Sequence, residues 1–189
     1  MKSYKIKIVG ISPYMQHRMD DTKLDEWEKN RKLIIELDDI AKEDNIRAEY
    51  HSYSDNEGFY IPTNHILGAM INAGALVKSK VGNAKKSMKN IVAGMFSIKE
   101  EKCRLPKEYE IDKRSAVNKN IKARVISVRP KWNEWNAEFT LNVDNDTITE
   151  ETIKDIIINA GNYIGIGSFR PTNNGSFGRF KLDNFTKIK

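Results

Sequence analysis

Apolar and polar positions alternate at the start of the chain. Tyr4, Ile6 and Ile8 interleave with Lys5 and Lys7, the period-two pattern of a half-buried strand. It ends near Gly10-Ile11, and Pro13 stops it. Leu24, Trp27, Leu33, Ile34, Leu37 and Ile40 form a rough helical stripe, which predicts a charged helix over 22–44 with a narrow apolar face. EGFYIP (57–62) reads as a short strand closed by Pro62. After it, Ile66, Leu67, Met70, Ile71 and Val77 fall on one side of a helix running to about Val77. Thr63 or Asn64 is its expected cap, and Gly68 and Gly74 are expected to permit close packing. KSKVGNAKKSMKN (78–90) reads as a basic loop, 87–98 as a short helix, and 99–120 as irregular, broken at Pro106.

The clearest hairpin signal follows. Trp135, Ala137, Phe139, Leu141 and Val143 alternate with Asn136, Glu138, Thr140 and Asn142. Ile121–Arg129 is the expected partner strand, joined to it through PKWNE (130–134). Its alternation slips near Val125-Ile126, which predicts a bulge or burial on both faces. Thr149 then caps a helix whose first turn holds Glu150 and Glu151. Ile148 and Ile153 sit at the staple positions, Ile153, Ile156, Ile157 and Ala160 form the buried stripe, and Gly161 is placed to end it. Phe177–Phe185 gives a last strand after a glycine-rich segment. The order strand, helix, strand, strand, helix, strand is βαββαβ, an α+β ferredoxin-like arrangement with both helices on one face of a four-stranded antiparallel sheet. We expect a single domain over 1–189 with insertions at 12–62 and 78–120.

Composition adds exclusions. Hydrophobic residues make up 39% and charged residues 31%, too apolar for a disordered tail and too mixed for a membrane protein. The longest stretch without formal charge, Gly58 to Val77, contains Pro62, Asn64, His65 and Asn72, so no membrane partner is expected. The opening residues lack an uninterrupted apolar signal core, and a cytoplasmic location is the expectation. The single cysteine, Cys103, excludes an intrachain disulfide and a multi-cysteine zinc site. Net charge is +6, carried unevenly. Residues 78–131 hold 16 basic and 5 acidic groups, whereas 1–77 and 132–189 are net −3 and −2. A field concentrated in the middle of the chain attracts polyanions.

The motifs of catalysis do not occur. His17, His51 and His65 have no i, i+4 histidine partner, and HExxH, GxSxG and GxxxxGK[ST] are missing. GIG at 165–167 follows a helix and does not continue as a dinucleotide loop. Asp20 and Asp21 are adjacent carboxylates near His17, suited to a divalent metal or simply to a helix start. Cys103 lies between Lys102 and Arg104, which would lower a thiol pKa, but no base accompanies it. No catalytic residue and no cofactor is assigned.

Three segments together resemble the RAMP superfamily, the RNA-binding backbone subunits of CRISPR effector complexes. They are the opening strand running into GISPYMQHR (10–18), GFYIPTNHILGAMINA (58–73) and GIGSFRPTNNGSFGRF (165–180). The second resembles the family's entry to its first helix, and the third its glycine-rich loop. Short stand-alone relatives carried by phages and prophages share the pattern. Thr63-Asn64 stands where the family has Gly-Ser, and Asn72 or Ala73 where an arginine is usual.

The resemblance implies an RRM-like platform whose insertions form a basic groove for single-stranded RNA, gripped without sequence reading. It also implies a homo-oligomer assembling side by side along the strand, with other subunits of a ribonucleoprotein complex as further partners. Lys78, Lys80, Lys85, Lys86 and Lys89 would contact phosphates, and Lys113, Arg114, Lys119, Lys122 and Arg124 would continue the track. Trp132 is the expected base-stacking residue and Trp135 a core residue. Arg170 and Arg179 would add charge-assisted bonds in the glycine-rich loop, and His17 and Arg18 would share that face. Alternatives are a phage single-stranded DNA binding or annealing protein, a metal-dependent ribonuclease using Asp20 or Asp21, and an inhibitor mimicking a backbone subunit.

Overall fold

The structure, a computed structural model, describes residues 1–18, 40–81, 84–118, 123–144 and 146–188. The fold is α+β, with twelve strands in antiparallel sheets and four α-helices among the described residues. The chain opens with β1 (Lys2–Gly10) and β2 (Tyr14–Met15), then α1 (Ile40–Tyr50), β3 (Ser54–Asp55), β4 (Gly58–Pro62) and α2 (Thr63–Ala73). A hairpin of β5 (Lys78–Val81) and β6 (Ala84–Ser87) leads to α3 (Lys89–Met95), β7 (Phe96–Ile98) and β8 (Lys102–Arg104). The rest comprises β9 (Glu110–Asn118), β10 (Ala123–Trp132), β11 (Asn136–Val143), α4 (Glu150–Asn159) and β12 (Phe180–Lys187).

The main sheet has the order β12-β1-β11-β7. Tyr4, Ile6 and Ile8 of β1 stand opposite Leu141, Phe139 and Ala137 of β11, which puts both apolar sets on one face. All six are buried. That face joins a single core with Ile66, Ala69, Met70 and Ala73 of α2 and Ile153, Ile156 and Ile157 of α4. Each isoleucine, leucine, phenylalanine or methionine side chain hidden this way contributes about 1.5–3 kcal/mol. On the outer face Lys7 lies 3.7 Å from Glu138 and 3.8 Å from Asp183. Smaller sheets, β2-β10-β9, β3-β4-β8 and β5-β6, surround this unit.

The structure corrects several expectations. The strand over 121–129 does not pair with 135–143. β10 pairs with β9 from Ala123 opposite Asn118 to Lys131 opposite Glu110, and β11 takes β1 and β7 as neighbours. Alternation defines a strand and its buried face, not its partner, and β1 matches β11 over eight residues in phase. The pairing of β10 runs through Val125-Ile126 without a shift, and Ile126 is 57% exposed, so neither a bulge nor two-faced burial occurs there. Residues 78–90 contain a hairpin, and 99–120 contain β8 and β9 rather than irregular chain. The short helix over 87–98 gives way to strand at Phe96. The expected helix over 22–44 lies outside the described residues up to residue 39, and from there α1 occupies Ile40–Tyr50, six residues beyond the expected end.

The two core helices begin differently. Thr149 caps α4 as expected, its Oγ1 accepting the Thr152 N–H at 3.2 Å. Ile148 and Ile153 are both buried there. Neither Thr63 nor Asn64 caps α2; Pro62 holds the cap position, and the Thr63 hydroxyl donates to the Glu100 carbonyl at 2.6 Å. Gly161 does not end α4. The helix passes into a π-helical turn over Ala160–Ile164 and stops at Gly165. A Cβ at Gly161 would lie 2.0 Å from the Phe180 carbonyl, so this glycine lets β12 approach the helix.

Candidate nucleic-acid interface

The three segments singled out in the sequence meet around one cleft of about 420 Å³. The stretch after β1 supplies Tyr14, Gln16 and His17; α2 supplies Asn64, His65, Gly68 and Asn72; the glycine-rich loop supplies Gly165, Gly167, Ser168 and Arg170. Tyr53 closes one side.

Gln16 ties two of these segments together. It is 1% exposed, its Nε2 donates to the Tyr60 carbonyl at 2.8 Å, and its Oε1 accepts the Tyr53 N–H at 2.6 Å. The glycine-rich loop docks on the other side of the same strand, with the Ser168 N–H on the Met15 carbonyl and the Gly178 N–H on the Pro13 carbonyl, both at 2.7 Å. At Gly167 φ is +75°, and a Cβ would lie 2.5 Å from both the Met15 carbonyl and the Tyr14 ring. A side chain there would push the loop off the sheet. Close chain packing therefore accounts for this glycine without a ligand.

On α2, Asn64, Gly68 and Asn72 recur every four residues and line the cleft together. Gly68, expected to permit close packing, has no atom within 4 Å of an ideal Cβ and forms open wall. Gly74 does allow close approach, its Cβ position lying 2.9 Å from the Lys89 nitrogen. The first turn of α2 carries no acidic residue and no side-chain cap. Its N-terminal end therefore presents the positive end of the helix dipole beside Asn64 and His65.

Burial disfavours the cationic form of all three imidazoles. The His17 ring stacks on His51 at 4.6 Å, and desolvation, Arg129 and His51 push His17 down to about 4. Burial lowers His51, against the opposing hydrogen bond to the Arg18 carbonyl, and burial together with Arg170 lowers His65. The positive charge comes instead from arginines. Arg170 lines the cleft, with Nη1 on the Gly167 carbonyl at 2.8 Å. The Arg18 guanidinium lies 5.4 Å over the Tyr53 ring. Arg129, whose Nη1 donates to Ser168 Oγ at 2.6 Å, stands behind the loop.

The predicted contact residues divide into groups. His17 and Arg170 line the cleft, and Arg18 lies over the ring of Tyr53, which lines it, while Arg179 is exposed where the Ile11 N–H meets its carbonyl at 2.9 Å. Lys78, Lys85, Lys86 and Lys89 are exposed beyond the other end of α2. The eleven residues of α2 span about 16 Å at 1.5 Å each. Lys80 faces Lys85 across the hairpin. Lys113 and Arg114 sit on β9 and are held internally, Lys113 by Asp44 at 2.7 Å and Arg114 by Asp112. The side chains of Lys80 and Arg124, and all of Lys119, Lys122, Asp20 and Asp21, lie outside the described residues.

Trp132, expected to stack on a base, is 2% exposed. Its ring packs among Tyr14, Phe59 and Tyr109, and its Nε1 donates to the Pro106 carbonyl at 2.9 Å. Trp135 is buried as expected. The basic neighbours of Cys103 do not lower its thiol pKa: the alternation of β8 points Lys102 and Arg104 outward and Cys103 inward. Burial, with Glu100 and Glu138 nearby, pushes the thiol up to about 12. Among the described residues no cluster of three or more histidine, cysteine or acidic side chains is placed to hold a metal, and no helix is long and apolar enough to cross a membrane. Sequence reading missed Asn64, Asn72 and Tyr53 as site residues. The four-residue spacing of Asn64, Gly68 and Asn72 on an otherwise apolar helix was the available signal. No protein-family model and no curated protein matches the chain.

Proposed function

We propose that the protein binds single-stranded RNA without cleaving it, through a ferredoxin-like core of the RAMP kind, and assembles with further copies along the strand. The sheet order β12-β1-β11-β7, with a helix before β7 and another before β12, supports the core assignment. The observation that carries the reading is the convergence of three segments on one cleft that Arg170 lines and whose Tyr53 wall lies under Arg18. They lie far apart in the chain and were singled out by the resemblance alone. Such a cleft offers amides, flat neutral rings and guanidinium groups, a combination suited to a sugar–phosphate chain bearing unpaired bases. The strand runs over the Asn64–Gly68–Asn72 face of α2 toward the hairpin lysines. That path of about 16 Å accommodates about five stacked nucleotides at 3.4 Å each.

The test is a salt titration of anisotropy with matched RNA and DNA oligonucleotides. Each neutralised phosphate of a single strand contributes about 0.7 to the slope of log K against log salt. Lys85→Ala with Lys86→Ala should therefore lower the slope by about 1.4. Lys113→Ala with Arg114→Ala should lower it much less, because Asp44 and Asp112 already neutralise those cations. Equal losses for the two pairs, or none for the first, refute the path. Tighter binding of DNA than of RNA refutes the assignment of the polymer.

A further inference from the structure

Phe169 is anomalous on two counts. Its backbone φ is +57°, in the left-handed region that bulky side chains avoid. The residue is 37% exposed, between Ser168 and Arg170, which both line the cleft. The ring itself turns out of the cleft, meeting Phe177 edge-on at 5.4 Å, with the Arg114 guanidinium 4.9 Å from its centroid.

The surroundings hold it there. The Phe177 N–H donates to the Phe169 carbonyl at 3.0 Å, and the Gly175 N–H to the Arg170 carbonyl at 3.0 Å. Asp112 grips Arg114 through both Nε and Nη2, which fixes the guanidinium over both rings. A partly exposed ring held in a conformation that asparagine or glycine adopts more readily points to a role for its surface.

From this geometry we infer that Phe169, braced by Arg114 and Phe177, is a stacking platform for one unpaired nucleobase of a strand whose backbone passes through the adjoining cleft. This rests on the reading of the cleft given above. A base presents a flat π-face to the side of the ring opposite Arg114, whose guanidinium backs the other face. The loop that follows carries the exposed polar residues Thr172, Asn173, Asn174 and Ser176. A single ring in such a setting favours a base over a protein partner, whose docking would call for a contiguous apolar patch.

The test compares Phe169→Asn, which relaxes the backbone and deletes the ring, with Phe169→Trp, which keeps a stacking face. The probes are a single-stranded RNA, a strand of equal length lacking bases, and an RNA carrying 2-aminopurine at successive positions. Phe169→Asn should weaken binding of the complete RNA by about 5- to 150-fold and leave binding of the baseless strand unchanged. Phe169→Trp should stay close to wild type. Wild-type protein, but not Phe169→Asn, should quench 2-aminopurine at a defined position.

Undiminished affinity in Phe169→Asn, or an equal loss on the baseless strand, overturns the inference while leaving the cleft reading in place. So does a defect confined to self-association in sedimentation without RNA, which would make the ring a contact between copies. If the wild-type protein binds none of the strands, the cleft reading fails, and the platform fails with it.

Discussion

Gly68 allows folding and binding to be separated in one residue. It lies in the interior of α2, lines the cleft between Asn64 and Asn72, and has nothing within 4 Å of an ideal Cβ. Glycine in a helix interior is about 1 kcal/mol less favourable than alanine, and glutamine is close to alanine on the same scale. With no neighbour to displace, both Gly68→Ala and Gly68→Gln should recover most of that difference. In a domain of this size about 1 kcal/mol corresponds to a rise in Tm of about 2–4 °C. Their effects on RNA should diverge. One methyl group removes little of a 420 Å³ cleft, so Gly68→Ala should bind within about twofold of wild type. The longer Gln side chain reaches into the path of the strand, and a loss of at least about tenfold, or about 1.4 kcal/mol, is expected. Thermal unfolding followed by circular dichroism and anisotropy titration measure the two quantities. A fall in Tm for Gly68→Ala would refute the open wall. A stabilised Gly68→Gln that binds like wild type would refute the cleft as the seat of the strand.

Two further variants probe the scaffold. Trp132→Ala should destabilise by about 3–5 kcal/mol in urea unfolding, because it empties the space among Tyr14, Phe59 and Tyr109 and leaves the Pro106 carbonyl without its donor; a loss below about 1 kcal/mol would contradict the burial. Glu100 accepts the Thr140 N–H at 2.6 Å and the Thr140 hydroxyl at 2.8 Å. Burial works to raise its pKa, yet the Thr140 bonds prevail and hold it below the ordinary value of 4.5. The stabilisation is therefore complete above the unfolded-state pKa and disappears as pH falls through the lower folded value. Glu100→Gln should cost about 1 kcal/mol at pH 7, and the difference from wild type should shrink below about pH 4.5; a difference that persists unchanged to pH 2 would remove the carboxylate from the account.

Periodicity made the core elements legible. Tyr4, Ile6 and Ile8, the alternation over 135–143, and the isoleucines after Thr149 each specify an element and its buried face, because burial depends on local spacing. Partner choice was not legible. Whether 135–143 pairs with the preceding strand or with the first depends on groups more than a hundred residues apart. The β5-β6 hairpin was hidden by its lysines, although Gly82-Asn83 between two four-residue segments is a two-residue turn signal. The basic segment was read as one track, but charge counting does not see local pairing, and Asp44 and Asp112 hold Lys113 and Arg114. Trp132 was misjudged for the same reason. Its neighbours in sequence are Lys131 and Asn133, whereas its neighbours in space are three aromatic rings.

The position of β1 between β11 and β12 has a consequence for biosynthesis. About 125 residues separate the end of β1 from the start of β11, so at about 5–20 residues per second the first strand leaves the ribosome roughly 6–25 s before either neighbour exists. During that interval Tyr4, Ile6 and Ile8 have no native sheet to join. Until then these side chains are open to non-native contacts, and the cleft is not complete until translation has passed the glycine-rich loop.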